Sequence, residues 1–191
     1  MFNYIISEPR DAIEIWGTFS DYRYLHMTIN SVIATPLLGL EDNEFLSEFS
    51  QLIQASLSTQ KNTHVSYGAP PSLMLSPFDK SGFHQYHEHR VTLDPIHLVL
   101  SMAYLRKVLK SDFLDYMDIG YICLLNHVST NAFNELAFCS LHPLEWGDEL
   151  IAKHSYETLR KRYFDALKQF EKMSEPKRYE NFESILNKLH G

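Results

Sequence analysis

The sequence lacks the short motifs that identify most common enzyme classes. It contains no glycine-rich phosphate-binding loop, no Gly-x-Ser-x-Gly nucleophile motif, no Cys-x-x-Cys pair and no His-Glu-x-x-His helix. Its seven glycines are spread one at a time along 191 residues, whereas a nucleotide cradle needs clustered glycines because backbone amides must approach the phosphates closely. The sequence therefore gives no support to these catalytic chemistries.

Cysteines and long hydrophobic runs are also scarce. There are two cysteines, Cys123 and Cys139, both in apolar surroundings, and no secretory signal comes before the first predicted strand. Because disulfides persist mainly in oxidising compartments, these features predict a cytoplasmic protein with reduced thiols. The most apolar run, residues 119–125, is far shorter than the roughly 18 residues that cross a bilayer, so no membrane role is predicted.

Acidic residues outnumber basic ones and are unevenly distributed. Residues 1–152 hold 18 Asp and Glu against 8 Lys and Arg, a net charge of −10, whereas residues 153–191 hold 6 against 9. An acidic body repels phosphate backbones and attracts basic protein surfaces, although acidic clusters also serve simply to keep a protein soluble. We predict a protein partner and no nucleic acid. The candidate contact residues are Glu41, Asp42, Glu44, Glu48, Asp112, Asp115 and Asp118.

The first half of the chain is predicted to contain several strands and two helices. Apolar residues three and four apart indicate a first helix capped by Ser20 or Asp21. A second amphipathic helix over residues 43–58 places Glu44 and Glu48 on its outer face. Short apolar or alternating runs indicate strands. The predicted strands are residues 4–6, 12–16, 64–67, 72–76 and 83–93.

The second half is predicted to be helical. Asp94-Pro95 is a strong helix start, and the residues from there to about 109 are apolar almost all the way round, which is typical of a helix enclosed by other elements. The sequence thus predicts one α+β domain over residues 1–191, strand-rich with two helices over 1–93 and helical over 94–191. Its small antiparallel sheet packs against the predominantly helical C-terminal half. Further helices are predicted at 113–128, 131–138, 144–173 and 182–189.

A cluster of histidines is the feature that most resembles a chemical site. On a strand, side chains alternate, so His87 and His89 share one face and His84 lies on the other. Two histidines on one face form half of a zinc, copper, nickel or iron site, which needs at least a third protein ligand. The alternative is that these histidines are ordinary strand residues packed within a sheet. The candidates for a third ligand are Asp94, His97 and His64.

Two stretches of the chain resemble a known family. Residues 12–25 carry Ile15-Trp16-Gly17-Thr18-Phe19-Ser20-Asp21, and residues 90–100 run from a strand into an apolar helix. They are similar to an uncharacterised bacterial family, a domain of unknown function, and the resemblance covers about the first two thirds of the chain. It implies a bacterial α+β domain and brings no catalytic residues with it.

Three functions remain open from the sequence. The first is a non-enzymatic cytoplasmic protein that binds another protein, such as an immunity-type inhibitor that neutralises a basic bacterial toxin domain through its acidic surfaces. The second is a metal-dependent enzyme or metal-binding protein that uses His84, His87 and His89. The third is a structural module that forms oligomers. The first is favoured because the sequence lacks catalytic motifs and is acidic, and it requires no cofactor.

Overall fold

The α+β class predicted from the sequence is confirmed, since an antiparallel sheet packs against helices in the described part of the chain. The structure is a computed structural model. Backbone alone is described at 63–68, 84–86 and 170–171. The described residues are 2–7, 12–36, 39, 43–58, 63–68, 84–109, 111–136, 142–173, 184 and 187–189.

The main elements of the described residues follow one another as two strands, two helices, two strands and four helices. Strands and helices therefore alternate in blocks, as is typical of α+β proteins. The elements are β1 (Asn3–Ile6), β2 (Ile13–Thr18), α1 (Phe19–Ile33), α2 (Glu44–Ser58), β3 (Thr63–Gly68), β4 (His84–Leu93), α3 (Pro95–Val108), α4 (Tyr116–Leu136), α5 (Pro143–Lys153) and α6 (Tyr156–Glu171).

The sheet is antiparallel throughout, with the strand order β1-β2-β4-β3. In its centre β2 pairs with β4, so that Ile15 lies opposite Val91, and both side chains are buried against the helices. Because side chains alternate along a strand, the residues next to Ile15 and Val91 point to the face of the sheet away from the helices. There Glu14 and Arg90 form an ion pair of 2.9 Å, and the Arg90 guanidinium lies 5.6 Å from the centre of the Trp16 ring.

The cap of α1 differs from the prediction. The N-cap is Thr18, not Ser20 or Asp21, and it is also the last residue of β2. Thr18 Oγ1 accepts a hydrogen bond from the Asp21 backbone N–H at 3.2 Å, and Asp21 Oδ2 accepts one from the Thr18 N–H at 3.0 Å. This reciprocal pair is a capping box. The strand therefore turns directly into the helix without a loop.

Helix α3 is buried on all sides, as its apolar residues predict. Asp94 Oδ1 accepts a hydrogen bond from the His97 backbone N–H at 2.9 Å, and Pro95 occupies the first helical position. Every residue from 95 to 105 is buried. The helix contacts α1, α2, α4 and α5, so it forms the centre of the hydrophobic core.

Helix α4 is one continuous helix, whereas the sequence predicts two helices at 113–128 and 131–138. The side chains of Ser129 and Ala132 are both buried, and they continue the inner face of the helix across the predicted gap. Packing of that face outweighs the lower helix propensity of the polar residues around it.

The sequence predicts one helix over 144–173, whereas the structure has two. The chain turns at His154, which has an extended backbone with φ −125° and ψ 148°, so α5 and α6 are separate helices. Ser155 Oγ then accepts a hydrogen bond from the Thr158 backbone N–H at 3.3 Å, and this cap starts α6. The predicted strand at 72–76 lies outside the described residues. So do four of the eight residues of the predicted terminal helix at 182–189; the other four, 184 and 187–189, are helical.

Helices α3 and α5 approach each other closely at Gly147. A Cβ atom at this position would lie 2.8 Å from Val99 Cγ1 and 3.0 Å from the Val99 carbonyl oxygen. The carbonyl oxygen belongs to a buried helix backbone and cannot rotate away. By contrast, no described atom lies within 4 Å of a Cβ built at Gly120 on the exposed side of α4. Of these two positions, packing therefore requires glycine at 147 and not at 120.

We expect Gly147→Ala to lower the free energy of unfolding by about 1–3 kcal/mol, because the added methyl overpacks the contact between α3 and α5. Gly120→Ala is the matched control and should raise it by about 0.5–1 kcal/mol through better helix propensity. Urea unfolding monitored by circular dichroism measures both. Equal stabilities of the two variants would contradict the close approach of α3 and α5.

Candidate functional site

The histidine strand alternates as predicted where its side chains are described. On β4, His89, Val91 and Leu93 are buried, whereas Thr92 is exposed. His87 occupies the same face as His89 but is exposed. The two predicted metal-binding histidines therefore lie in different environments, one inside the protein and one at its surface.

His89 has a structural contact that explains its burial. Its Nδ1 donates a hydrogen bond to the Ser56 carbonyl oxygen near the end of α2, at 3.2 Å, and its ring centre lies 5.9 Å from that of Phe19. Carbonyls in the last turn of a helix lack partners within the helix. His89 thus satisfies one of them and joins β4 to α2.

The two described candidates for a third metal ligand also have other partners. Asp94 accepts hydrogen bonds from the His97 backbone N–H and from the Tyr163 hydroxyl, the latter at 2.8 Å. The His97 side chain is buried, and its Nε2 donates to the Phe45 carbonyl at 2.9 Å. The side chains of His84 and His64 lie outside the described residues. Within the described part of the chain, no three His, Cys, Asp or Glu side chains are grouped as metal ligands.

The acidic residues of α2 are exposed, as predicted, but they are not all available to a partner. Glu44 Oε2 accepts a hydrogen bond from Arg160 Nε of α6 at 2.6 Å. Glu48 Oε2 lies 3.8 Å from Nδ1 of His97. Arginine therefore offsets the charge of Glu44 locally. The predicted neighbours Glu41 and Asp42 lie outside the described residues.

The three aspartates before and within the first turn of α4 have different roles. Asp115 Oδ1 accepts a hydrogen bond from the Asp118 backbone N–H at 2.8 Å and so caps α4. Asp118 Oδ1 accepts one from Thr28 Oγ1 of α1 at 2.6 Å, which ties the two helices together. Asp112 is exposed in the turn before the helix. All three carboxylates lie on one short segment of chain.

Large apolar side chains are exposed beside these aspartates. Tyr116 is 94% exposed, Phe113 is 55% exposed and Met117 is 53% exposed. Exposed apolar clusters rimmed by polar residues are typical of protein–protein contact sites, whereas single exposed apolar residues are ordinary. The spacing of these residues between the aspartates therefore makes this segment the strongest candidate for a binding site.

Residues of α1 that lie beside this segment enlarge the exposed surface. Tyr24 stacks on Tyr121 of α4 with ring centres 5.5 Å apart, and Met27 is 53% exposed. Burial, together with nearby Asp21 and Tyr24, raises the pKa of the Tyr121 hydroxyl, which therefore stays protonated at neutral pH. We call the whole region the acidic–aromatic surface. It consists of Tyr24, Met27, Asp112, Phe113, Asp115, Tyr116, Met117, Asp118 and Tyr121.

The aspartates of this surface were predicted from the sequence, but its exposed aromatic residues were not. The sequence predicts a helix beginning at Phe113, and an aromatic residue in an apolar helix is ordinarily expected to be buried. The signal that could have found them is the alternation of acidic and large apolar residues in Asp112-Phe113-Leu114-Asp115-Tyr116-Met117-Asp118. Such mixed patterning has no continuous apolar face to bury.

No known protein family, curated protein or solved structure matches this chain. The resemblance to a bacterial family of unknown function therefore stays a prediction. Among the helices in the described residues, none is both long enough and apolar enough to span a membrane.

We expect His89→Ala to lower the free energy of unfolding by about 1–3 kcal/mol, because the Ser56 carbonyl loses its buried donor. His87→Ala is the matched control on an exposed neighbour and should change it by less than about 0.5 kcal/mol. Added zinc should leave the unfolding temperature of the wild-type chain unchanged, since no three His, Cys, Asp or Glu side chains are grouped as ligands in the described part of the chain.

Thermal unfolding with and without zinc, followed by metal analysis of the purified chain, measures these effects. Stoichiometric zinc that survives dialysis against a chelator and is lost in both histidine variants would contradict the structural role of His89.

Proposed function

We propose that this protein acts by binding another protein, and that the acidic–aromatic surface contacts a basic patch on that partner. The observation that carries the proposal is the exposure of Tyr116, at 94%, between three aspartates. Tyrosine and other aromatic residues are enriched at the centres of protein interfaces, where burying one side chain contributes much of the binding energy. The surrounding carboxylates supply a polar rim with one sign of charge.

The electrostatics favour a basic partner. The body of the protein carries a net charge of −10 over residues 1–152. The hydrogen bonds of Asp115 and Asp118 hold these two carboxylates in fixed positions before a partner arrives. Fixed charges of one sign steer an oppositely charged protein into contact and raise its association rate. The same charges repel nucleic acid, which supports a protein rather than DNA or RNA as the partner.

More specifically, we propose that the protein is an immunity-type inhibitor that neutralises a basic bacterial toxin domain. A nuclease toxin carries a basic cleft for its phosphate substrate, and an acidic surface with aromatic anchors would cover such a cleft. The action would take place in the cytoplasm. A chain with two cysteines suits this setting, because disulfides are rare there.

Two variants test the surface directly, with a partner captured from source cells by the wild-type chain. Asp112→Lys should slow association about three- to tenfold and weaken its dependence on salt, because it reverses one steering charge. Tyr116→Ala should raise the dissociation rate by roughly tenfold or more, because it removes the exposed anchor. Surface plasmon resonance at several salt concentrations measures both rates.

Asp165→Lys and Phe164→Ala on α6 are the matched controls. The first makes the same change of charge, and the second removes an aromatic ring that is 40% exposed, at a site with basic neighbours. Both should leave the two rates nearly unchanged. If the α6 variants weaken binding as much as the α4 variants, the acidic–aromatic surface is not the contact. A chain that pairs only with itself at this surface would favour the oligomerising module instead.

Neutralisation of a toxin is tested by cell growth. If the captured partner is toxic when expressed alone, the wild-type chain should restore growth and the Tyr116→Ala variant should not. A turnover activity that is lost in His87→Ala and His89→Ala would instead favour the metal-dependent enzyme.

A further inference from the structure

A cavity of about 660 Å³ lies between the last turns of α3, the middle of α4 and the second half of α5. Its volume falls in the range of roughly 300–1,000 Å³ that is typical of small-molecule sites. It does not include any residue of the acidic–aromatic surface. Its lining residues are Ala103, Arg106, Lys107, Leu109, Cys123, Asn126, Asp148, Ile151 and Ala152.

The packing of α3 against α5 shapes this cavity. The two helices touch at Gly147, where a Cβ atom would also lie 3.3 Å from Ala103 Cβ. One residue further along α5, Asp148 faces the cavity, and Ile151 and Ala152 follow on the next turn. The small side chain of Ala103 leaves space that α4 closes from the third side. The cavity is therefore bounded by helices on three sides.

One wall of the cavity is cationic. Arg106 and Lys107 lie in the last turn of α3, and the Arg106 Nη2 atom lies 2.9 Å from Asp148 Oδ2. Among the described lining residues, two cations and one carboxylate leave an excess of one positive charge. A guanidinium has five N–H donors, so an arginine held by one carboxylate still has donors for a second anion. This wall therefore suits the anionic group of a ligand.

The part of the lining that α4 contributes carries a polar atom that needs a donor. Asn126 Oδ1 is shielded from solvent, and none of the described residues donates a hydrogen bond to it. Shielded polar atoms are nearly always paired in folded proteins, because an unpaired one loses its hydrogen bonds to water and gains none in the protein. An N–H or O–H group of a ligand in the cavity would pair with it.

We propose that this cavity binds a small amphipathic anion. The anionic group of the ligand would lie beside Arg106 and Lys107, and an N–H or O–H group of the ligand would donate to Asn126 Oδ1. The apolar body of the ligand would pack against Leu109 and Ile151. This site is separate from the acidic–aromatic surface and does not depend on the proposed function.

The dye 8-anilino-1-naphthalenesulfonate has all three features and serves as the probe. We expect one molecule to bind per chain, measured by its fluorescence. Asn126→Leu should weaken binding roughly tenfold, because it removes the acceptor. Ala152→Trp should also weaken binding at least tenfold, because Ala152 is an exposed lining residue and an indole there would obstruct the cavity without disturbing the core.

Tyr116→Ala is the control, and it should leave dye binding unchanged. Loss of binding in this control, or unchanged binding in both cavity variants, would place the dye elsewhere and overturn the proposal. Circular dichroism establishes that each variant is folded.

Cys123 supplies a second measurement that needs no cavity substitution. It is a free, exposed thiol of the lining, and in a Cys139→Ser chain it is the single cysteine. Saturating dye should slow its alkylation by iodoacetamide about fivefold or more, because a bound ligand covers it. An unchanged alkylation rate would overturn the proposal even if the cavity variants fail to fold.

Discussion

Helix α3 has buried side chains around its whole circumference, and the elements around it are arranged to cover it. Its polar groups must then find partners within the protein, because unpaired buried groups destabilise the fold. Asp94 caps the helix and also accepts a hydrogen bond from the Tyr163 hydroxyl of α6. His97 donates from its side chain to the Phe45 carbonyl of α2. These bonds fix the positions of α2 and α6 relative to the core.

The candidate sites lie where this arrangement leaves surfaces uncovered. Helix α4 packs its inner face on the core, and its first turn projects Tyr116 and Met117 into solvent. Its middle presents Asn126 to the space beside α3 and α5. About ten residues separate these two regions, which is roughly 15 Å along a helix. One rigid helix therefore carries both a candidate protein contact and a candidate ligand contact.

Strong local signals made much of the fold predictable from the sequence. Alternation along β4 and the Asp94-Pro95 start of α3 each follow from one dominant physical preference. The structure confirms the first over residues 87–93 and the second in full. Helix boundaries within α4 and after α5 depend on which side chains become buried, which single-sequence propensity does not contain. The contact of Glu44 with Arg160 joins residues 116 apart. The sequence could therefore indicate acidic residues but not which of them remain available.

Site-specific photo-crosslinking in source cells tests directly whether the acidic–aromatic surface contacts a basic protein. A photoreactive phenylalanine analogue replaces Met117 on the acidic–aromatic surface in one chain and Phe164 on α6 in another. We expect the analogue at position 117 to crosslink to one basic protein, with a yield that falls as salt is raised. We expect the analogue at position 164 not to capture that protein. Equal capture from both positions, or no capture from position 117, would contradict this contact.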